Sequence, residues 1–140
     1  MRSLSLFVFL LLGFLMPLSA HAASQEPETA IRKTITQQLN AFQRDDWIEA
    51  FAYASPLLQN IFGSPERFRE MVLGGYRVVY RHEQAAFREL DTSGPRPVQN
   101  VFFIDPDGVA YLAAYEMEQQ TDGTWRIAGV QLIQAEAKSV

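Results

Sequence analysis

Hydrophobic residues in the first half of the chain recur at helical spacing. Between residues 28 and 44 they fall on one helix face, at intervals of four, four and three: Ile31, Ile35, Leu39 and Phe42. Three residues that commonly cap helices follow, namely Asp46, Ser55 and Ser64, and each serine precedes a proline at the first helical position. We therefore predict four helices, the first from about Glu28 to Arg44 after a short flexible lead-in, and the last ending at the glycine pair 74–75.

After residue 75 the hydrophobic period changes from helical to alternating. The sequence predicts strands over five ranges: Tyr76–Tyr80, Ala86–Leu90, Val98–Ile104, Val109–Gln120 and Trp125–Gln134. Asp-Gly pairs at 107–108 and 122–123 lie between alternating runs, which is a strong signal for β-hairpins. The order of elements predicts an α+β fold with N-terminal helices packed on a curved antiparallel sheet. A curved sheet wrapped around a helix leaves a cone-shaped interior.

The N-terminal residues have the layout of a secretory signal peptide. Arg2 gives a short positive region, residues 4–16 are strongly apolar, and Ala20-His21-Ala22 places small residues at both key positions of a cleavage site. We predict cleavage after the second of these alanines, which leaves a signal peptide, 1–22, and a single domain, 23–140. The alternative is a retained membrane anchor, but the apolar part is shorter than the roughly 20 residues of a spanning helix.

Composition narrows the classes of function. The chain has no cysteine, which excludes disulfides, thiolate metal sites and a cysteine nucleophile. Its formal net charge of −4 gives no electrostatic reason to expect nucleic acid. No phosphate loop, dinucleotide fingerprint or nucleophile elbow occurs. We therefore predict no cofactor and no metal. Because the N-terminal residues predict export, we expect the protein to be periplasmic or secreted.

Stretches along nearly all of the predicted mature chain resemble a known bacterial family. They are Ala30-Ile31-Arg32, Gln38 to Asp46, Ala50-Phe51-Ala52, Ala54-Ser55-Pro56, Phe62-Gly63-Ser64-Pro65, Phe68, Met71-Val72, Gly75-Tyr76, Val79-Tyr80-Arg81, Asp122-Gly123 and Trp125-Arg126-Ile127. The chain is similar to the domain of unknown function 4864 family. That resemblance implies a nuclear transport factor 2-like, or cystatin-like, cone fold, and it brings no activity or catalytic residue. Two positions depart from the family pattern: His82 stands where proline is expected, and Val130 where a cysteine often follows glycine.

His82 is the only histidine of the predicted mature domain and therefore its only imidazole base. Glu83 adjoins it, but neighbouring residues of an extended chain point to opposite faces, so we expect an exposed histidine at a strand end. Asp105 and Asp107 form a fragment of a calcium loop, in which Pro106 favours a plain turn. The sequence predicts no catalytic residue.

The later strands carry apolar residues on both faces. We assign one face of Val109–Gln120 to the interior and expect an apolar pocket with a few polar tips there. Its predicted lining is Tyr53, Tyr80, Phe102, Tyr115, Met117 and Gln131. Ordinary core packing is the competing interpretation of these side chains.

These features predict a non-catalytic exported cone domain that binds a small apolar or aromatic ligand, or a protein partner, in its cavity. One alternative is a small cone-fold enzyme of the isomerase, dehydratase or hydrolase type, for which the inward positions offer no convincing carboxylate. The other alternative is a purely structural interaction module of the cell envelope.

The second face of the sheet predicts self-association. Strict alternation along Trp125–Gln134 places Ala128, Val130 and Leu132 in an apolar row on the face opposite Ile127. Helices cover only one of the two faces, so the other needs a second cover. We predict a two-fold homodimer in which the convex sheet faces meet.

Export has a direct test. Because the cleavage layout ends at Ala22, protein recovered from the envelope fraction is expected to begin at Ala23 when its N-terminus is sequenced. Full-length protein in the membrane fraction would instead support the retained anchor, and full-length protein in the cytoplasm would contradict export.

Overall fold

Five helices precede four strands in the computed structural model of the chain, which describes residues 20–135. The helices are α1 (Ala20–Gln43), α2 (Trp47–Ala52), α3 (Pro56–Phe62), α4 (Pro65–Gly75) and α5 (Arg77–Tyr80). The strands are β1 (Gln84–Asp91), β2 (Val98–Ile104), β3 (Ala110–Gln119) and β4 (Trp125–Gln134). The predicted α+β architecture is confirmed. The apolar run at residues 4–16 lies outside the described residues.

The three predicted helix caps are confirmed. A carboxylate oxygen of Asp46 accepts a hydrogen bond from the backbone N–H of Glu49 at 3.0 Å. Ser55 and Ser64 accept in the same way at the starts of α3 and α4, each at 3.3 Å. Gly63 ends α3 in the left-handed conformation, at a φ of 79°, which glycine adopts without steric cost. Capping side chains and a left-handed glycine thus divide this half of the chain into short helices.

Two predictions for the helical half were wrong. The lead-in predicted as flexible is helical from Ala20, and Pro27 lies inside α1. The segment 76–80, predicted as a strand, contains α5, and the N–H of Arg81 donates to the carbonyl of Arg77 at 2.9 Å. The β-branched residues of this segment favour a strand locally. Burial of Val78 and Val79 in the core overrides that preference, because packing outweighs β-propensity.

The sheet is an antiparallel meander in the order β1-β2-β3-β4. Gly108 and Gly123 occupy its two tight turns with positive φ values of 82° and 86°, as the Asp-Gly pairs predict. One face of the sheet packs against α1. Their shared buried cluster includes Ile31, Ile35, Phe42, Val101, Phe103, Ala113, Tyr115, Met117 and Ile127. The hydroxyl of Thr34 adds a hydrogen bond from α1 to the carbonyl of Trp125 at 3.3 Å.

A bulge divides β4 into two halves that follow different alternation. Ile127 pairs with Met117, and Gly129 pairs with Glu116, so Ala128 is the extra residue. Past the bulge, the odd-numbered residues of β4 move to the outer face, because the side-chain period of a strand is two. Val130 consequently lies opposite Tyr115 on the inner face.

The predicted alternation in β4 was therefore wrong beyond Ile127. Val130 and Leu132, assigned to the convex face, pack partly buried against the core, and Gln131, assigned to the interior, is exposed. Phe102 also lies on the outer face, because its neighbours Val101 and Phe103 are the buried residues of β2. Within residues 20–135, no helix combines the length and the apolar character needed to cross a membrane.

Tyr115 offers a test of the inner face. Its side chain is fully buried, its hydroxyl has no hydrogen-bond partner among the described residues, and burial raises the pKa of that hydroxyl. We expect Tyr115→Phe to raise the free energy of unfolding by about 1–2 kcal/mol, since it removes an unsatisfied polar group and keeps the ring. Tyr115→Ala should lower it by about 3–5 kcal/mol. Urea unfolding measures both changes, and a loss of stability in Tyr115→Phe would contradict this account of the hydroxyl.

Candidate functional site

An apolar cavity of about 220 Å³ lies between the helices and β4. Its walls come from α1, α3, α4, the start of α5 and the bulged part of β4. The side chains that give it its apolar character are Phe42, Leu58, Phe62, Phe68, Met71 and Val130. Phe68 forms one aromatic wall, with its ring centroid 6.0 Å from Phe42 and 5.8 Å from Phe62.

The short helix α3 supplies one side of the cavity. Leu58 and Phe62 are one helical turn apart and both line the cavity. Leu57 and Ile61 lie on the opposite side of α3 and are 62% and 63% exposed. No residue of α3 is fully buried. α3 therefore covers the cavity as a single thin layer.

Each polar side chain in the cavity wall makes one hydrogen bond within the protein. Gln38 is buried, and its amide nitrogen donates to the carbonyl of Ala50 at 3.1 Å. The hydroxyl of Tyr76 donates to the carbonyl of Val130 at 3.0 Å. Among the described residues, the lining contains no Asp, Glu, His, Lys or Arg. The cavity can therefore hold an uncharged apolar group, and it presents no acid–base pair.

Residues 24–140 match the family model described as Domain of unknown function (DUF4864). The chain belongs to the DUF4864 family. No curated protein and no solved structure matches the chain. The matched residues include every element that bounds the cavity, so the cavity lies within the DUF4864 domain.

The six side chains predicted as pocket lining are not brought together in this DUF4864 domain, and none of them lines the cavity. Tyr115 and Met117 are buried in the core beside it. Phe102 lies on the outer face, where the guanidinium of Arg88 is 4.9 Å from its ring centroid, and Gln131 is exposed on the same face. The residues that do line the cavity could have been found from helical spacing. They are apolar residues on one side of the two serine-capped helices, namely Leu58, Phe62, Phe68 and Met71.

The other two predicted residues, Tyr53 and Tyr80, are half-buried at the edge of the helical layer. The hydroxyl of Tyr53 donates to Glu49 at 2.9 Å, and burial, with this carboxylate, raises the pKa of Tyr53. Tyr80 donates to the carboxylate of Asp45 and stacks on Trp47 at 5.1 Å between centroids. The hydrogen bond from Tyr80 is the main cause of the lowered pKa of Asp45. Tyr80 thus joins α5 to the start of α2, whereas the hydrogen bond of Tyr53 stays within α2 and its C-terminal cap.

His82 differs from its predicted environment because it is half-buried. Its ring centroid lies 5.1 Å from that of Phe103, and its Nδ1 atom is buried without a hydrogen-bond partner among the described residues. Burial lowers the pKa of His82 below its usual value, which favours the neutral imidazole. Glu83 forms a backbone hydrogen bond to Ile104, and no contact of the described chain pairs its carboxylate with His82. The two residues form no general-base pair here.

The calcium-loop fragment is a plain turn, as predicted. Asp105 accepts hydrogen bonds from the backbone N–H groups of Asp107 and Val109, at 2.9 and 2.8 Å. Across residues 20–135 no group of three or more potential ligand side chains is arranged to hold a metal ion.

Proposed function

We propose that this DUF4864 chain is an exported, non-catalytic cone domain that binds a small, neutral, apolar molecule in the cavity beside β4. The observation that carries the proposal is an apolar cavity to whose wall the part of the chain that the structure describes contributes no charged side chain. Charged or strongly polar ligands would lose their hydration there without gaining new partners. An aromatic or alkyl group loses no such interaction.

The size of the cavity indicates the size of the ligand. A cavity of about 150 Å³ lined by Leu, Ile and Phe stays dry and binds benzene. At about 220 Å³, this cavity has room for a two-ring aromatic molecule or a branched alkyl group. A bound apolar group would remove the apolar wall of the cavity from water, which is favourable by roughly 25 cal/mol for each Å² of apolar surface buried.

Adjacent leucines of α3 give a matched test of ligand binding. Leu58→Trp is expected to fill the cavity and to weaken binding of 1-fluoronaphthalene, followed by ¹⁹F NMR, by at least about tenfold, because two large groups compete for one volume. Leu57→Trp is the control, since Leu57 lies outside the cavity wall on the exposed side of the same helix. Absence of binding to the unaltered protein, or equal weakening by both variants, would contradict the proposal.

The outer sheet face supports a second part of the proposal, a two-fold homodimer. Phe102, Leu112 and Ile133 are directly opposite one another on β2, β3 and β4, and they form an apolar row on the face away from the helices. Ile133 is 61% exposed in the single chain. This row replaces the one predicted from Ala128, Val130 and Leu132. A second copy of the same face would cover it symmetrically.

The dimer is tested by placing a charge on either face of β4. Ile133→Glu is expected to give a folded monomer by light scattering, because the charge would be buried at the proposed contact. Leu132→Glu puts the same charge on the inner face, one residue away, and should lower the melting temperature. A wild-type monomer at tens of micromolar would overturn the dimer.

A further inference from the structure

The outer edge of β4 presents unpaired backbone groups beyond the bulge. The N–H of Ala135 donates to Ala110 of β3, so the alternate residues Val130, Leu132 and Gln134 direct their N–H and C=O groups away from the sheet. Among residues 20–135, no donor or acceptor pairs with the backbone groups of Leu132 and Gln134 on that side. These groups form a short template for another strand.

The first part of the same edge is already covered. The N–H of Ile127 donates to the carbonyl of Tyr53 at 2.9 Å, and the N–H of Ser55 donates to the carbonyl of Ile127 at 2.8 Å. The chain before α3 thus pairs with β4 as a single parallel bridge. At Val130 the carbonyl accepts from the hydroxyl of Tyr76, and a carbonyl has a second lone pair. The open edge therefore begins at Val130, which also belongs to the cavity wall.

The two edges of the sheet differ in protection. β1 carries Arg88, Glu89 and Asp91, and its register is broken between Phe87 and Leu90, which are features that discourage strand addition. The carbonyl of Arg88 also accepts from the buried amide of Gln99 at 2.7 Å. In contrast, residues 127–134 of β4 contain no charged residue and no proline. The β1 edge therefore has features that oppose the addition of another strand, and the β4 edge beyond the bulge lacks them.

The cavity lies directly beside the open edge. Gly129 and Val130 belong to its wall, as does Tyr76 at the end of α4. An added strand would lie about 4.8 Å from β4, and its residue opposite Val130 would point to the inner face. That side chain would enter the layer that contains the cavity. The hydrogen-bonding edge and the apolar cavity together fit a ligand that has both backbone amide groups and an apolar side chain.

We infer that the β4 edge binds an extended peptide segment of a partner protein, whose large apolar side chain fills the cavity. This inference rests on the proposed function and names the molecule that carries the apolar group. Backbone pairing with Val130, Leu132 and Gln134 supplies affinity, and the cavity selects an aromatic or large aliphatic side chain. A second copy fits less well, because its own β4 residues Val130 and Leu132 already pack against its core.

The inference is tested with a labelled probe peptide, acetyl-Lys-Thr-Thr-Val-Thr-Phe-amide, whose binding to the full chain is followed by fluorescence anisotropy. In an antiparallel pairing its terminal Phe would lie opposite Val130, and the residues before it would lie along the open edge toward Gln134. N-methylation of the Phe removes an N–H that faces β4, whereas N-methylation of the preceding Thr alters an N–H that faces solvent. We expect the first change to weaken binding about tenfold or more and the second to leave it nearly unchanged. Equal effects of the two modifications would overturn strand addition.

Two variants separate this inference from the proposed function. Gln134→Pro removes an edge N–H from an exposed residue, and it should weaken the peptide while 1-fluoronaphthalene still binds. Leu58→Trp should weaken both. If naphthalene binds and the peptide does not, the inference fails and the small-ligand function stands. If neither binds, both fail.

The other occupants of the edge give distinct results. If the chain's own terminal residues cover it, the amides of Leu132 and Gln134 will be protected from hydrogen exchange at every protein concentration. If a second copy covers it, that protection will appear only as concentration rises. Either result would overturn the peptide assignment, whereas rapid exchange in the free protein and protection on adding the peptide support it.

Discussion

The inserted residue Ala128 in β4 determines which side chains of the strand reach the helices. Before it, Ile127 joins Met117 in the core; after it, Val130 joins Tyr115. Without the insertion, the side-chain period of two would place Gly129 and Gln131 on the inner face and turn the branched residues outward. The bulge thus keeps an apolar inner face along the whole of β4. It also leaves Gly129 and Val130 as part of the cavity wall.

The cavity follows from the way in which the helical layer is divided. Capped helix starts at Asp46, Ser55 and Ser64 divide the layer after α1 into shorter helices, and the cavity lies where α3 and α4 face β4. α3 covers the gap with Leu58 and Phe62 alone. Close packing is the rule inside proteins, so an apolar space of about 220 Å³ between the helices and β4 is the feature on which the proposed function depends.

Local signals in the sequence predicted much of the fold. The caps, the glycine turns and the bounds of β2 and β4 depend on neighbouring residues, and each agrees with the structure. The conformation of Val78 and Val79 depends on burial against distant residues, and the bulge at Ala128 depends on pairing with β3. Neither feature is determined by residues that are close to it in the sequence. The bulge is the reason why Gln131 was assigned to the wrong face. Phe102 lies in a strand that alternates regularly, and alternation alone does not say which of its two sets of side chains meets the helices. The pocket was therefore placed among strand residues, whereas helix residues such as Leu58 and Phe62 line the cavity.

The assignment of inner and outer residues in β4 is the central claim, and thiol labelling tests it directly because the chain has no cysteine. Single variants Val130→Cys and Gln131→Cys would be labelled under native conditions, at a concentration where the chain is monomeric, with Ile127→Cys as the buried reference. The bulged strand predicts fast labelling at position 131 and slow labelling at positions 127 and 130. Fast labelling at 130 with slow labelling at 131 would mean that β4 alternates without interruption, and the cavity, the outer apolar row and the open edge would all be misplaced.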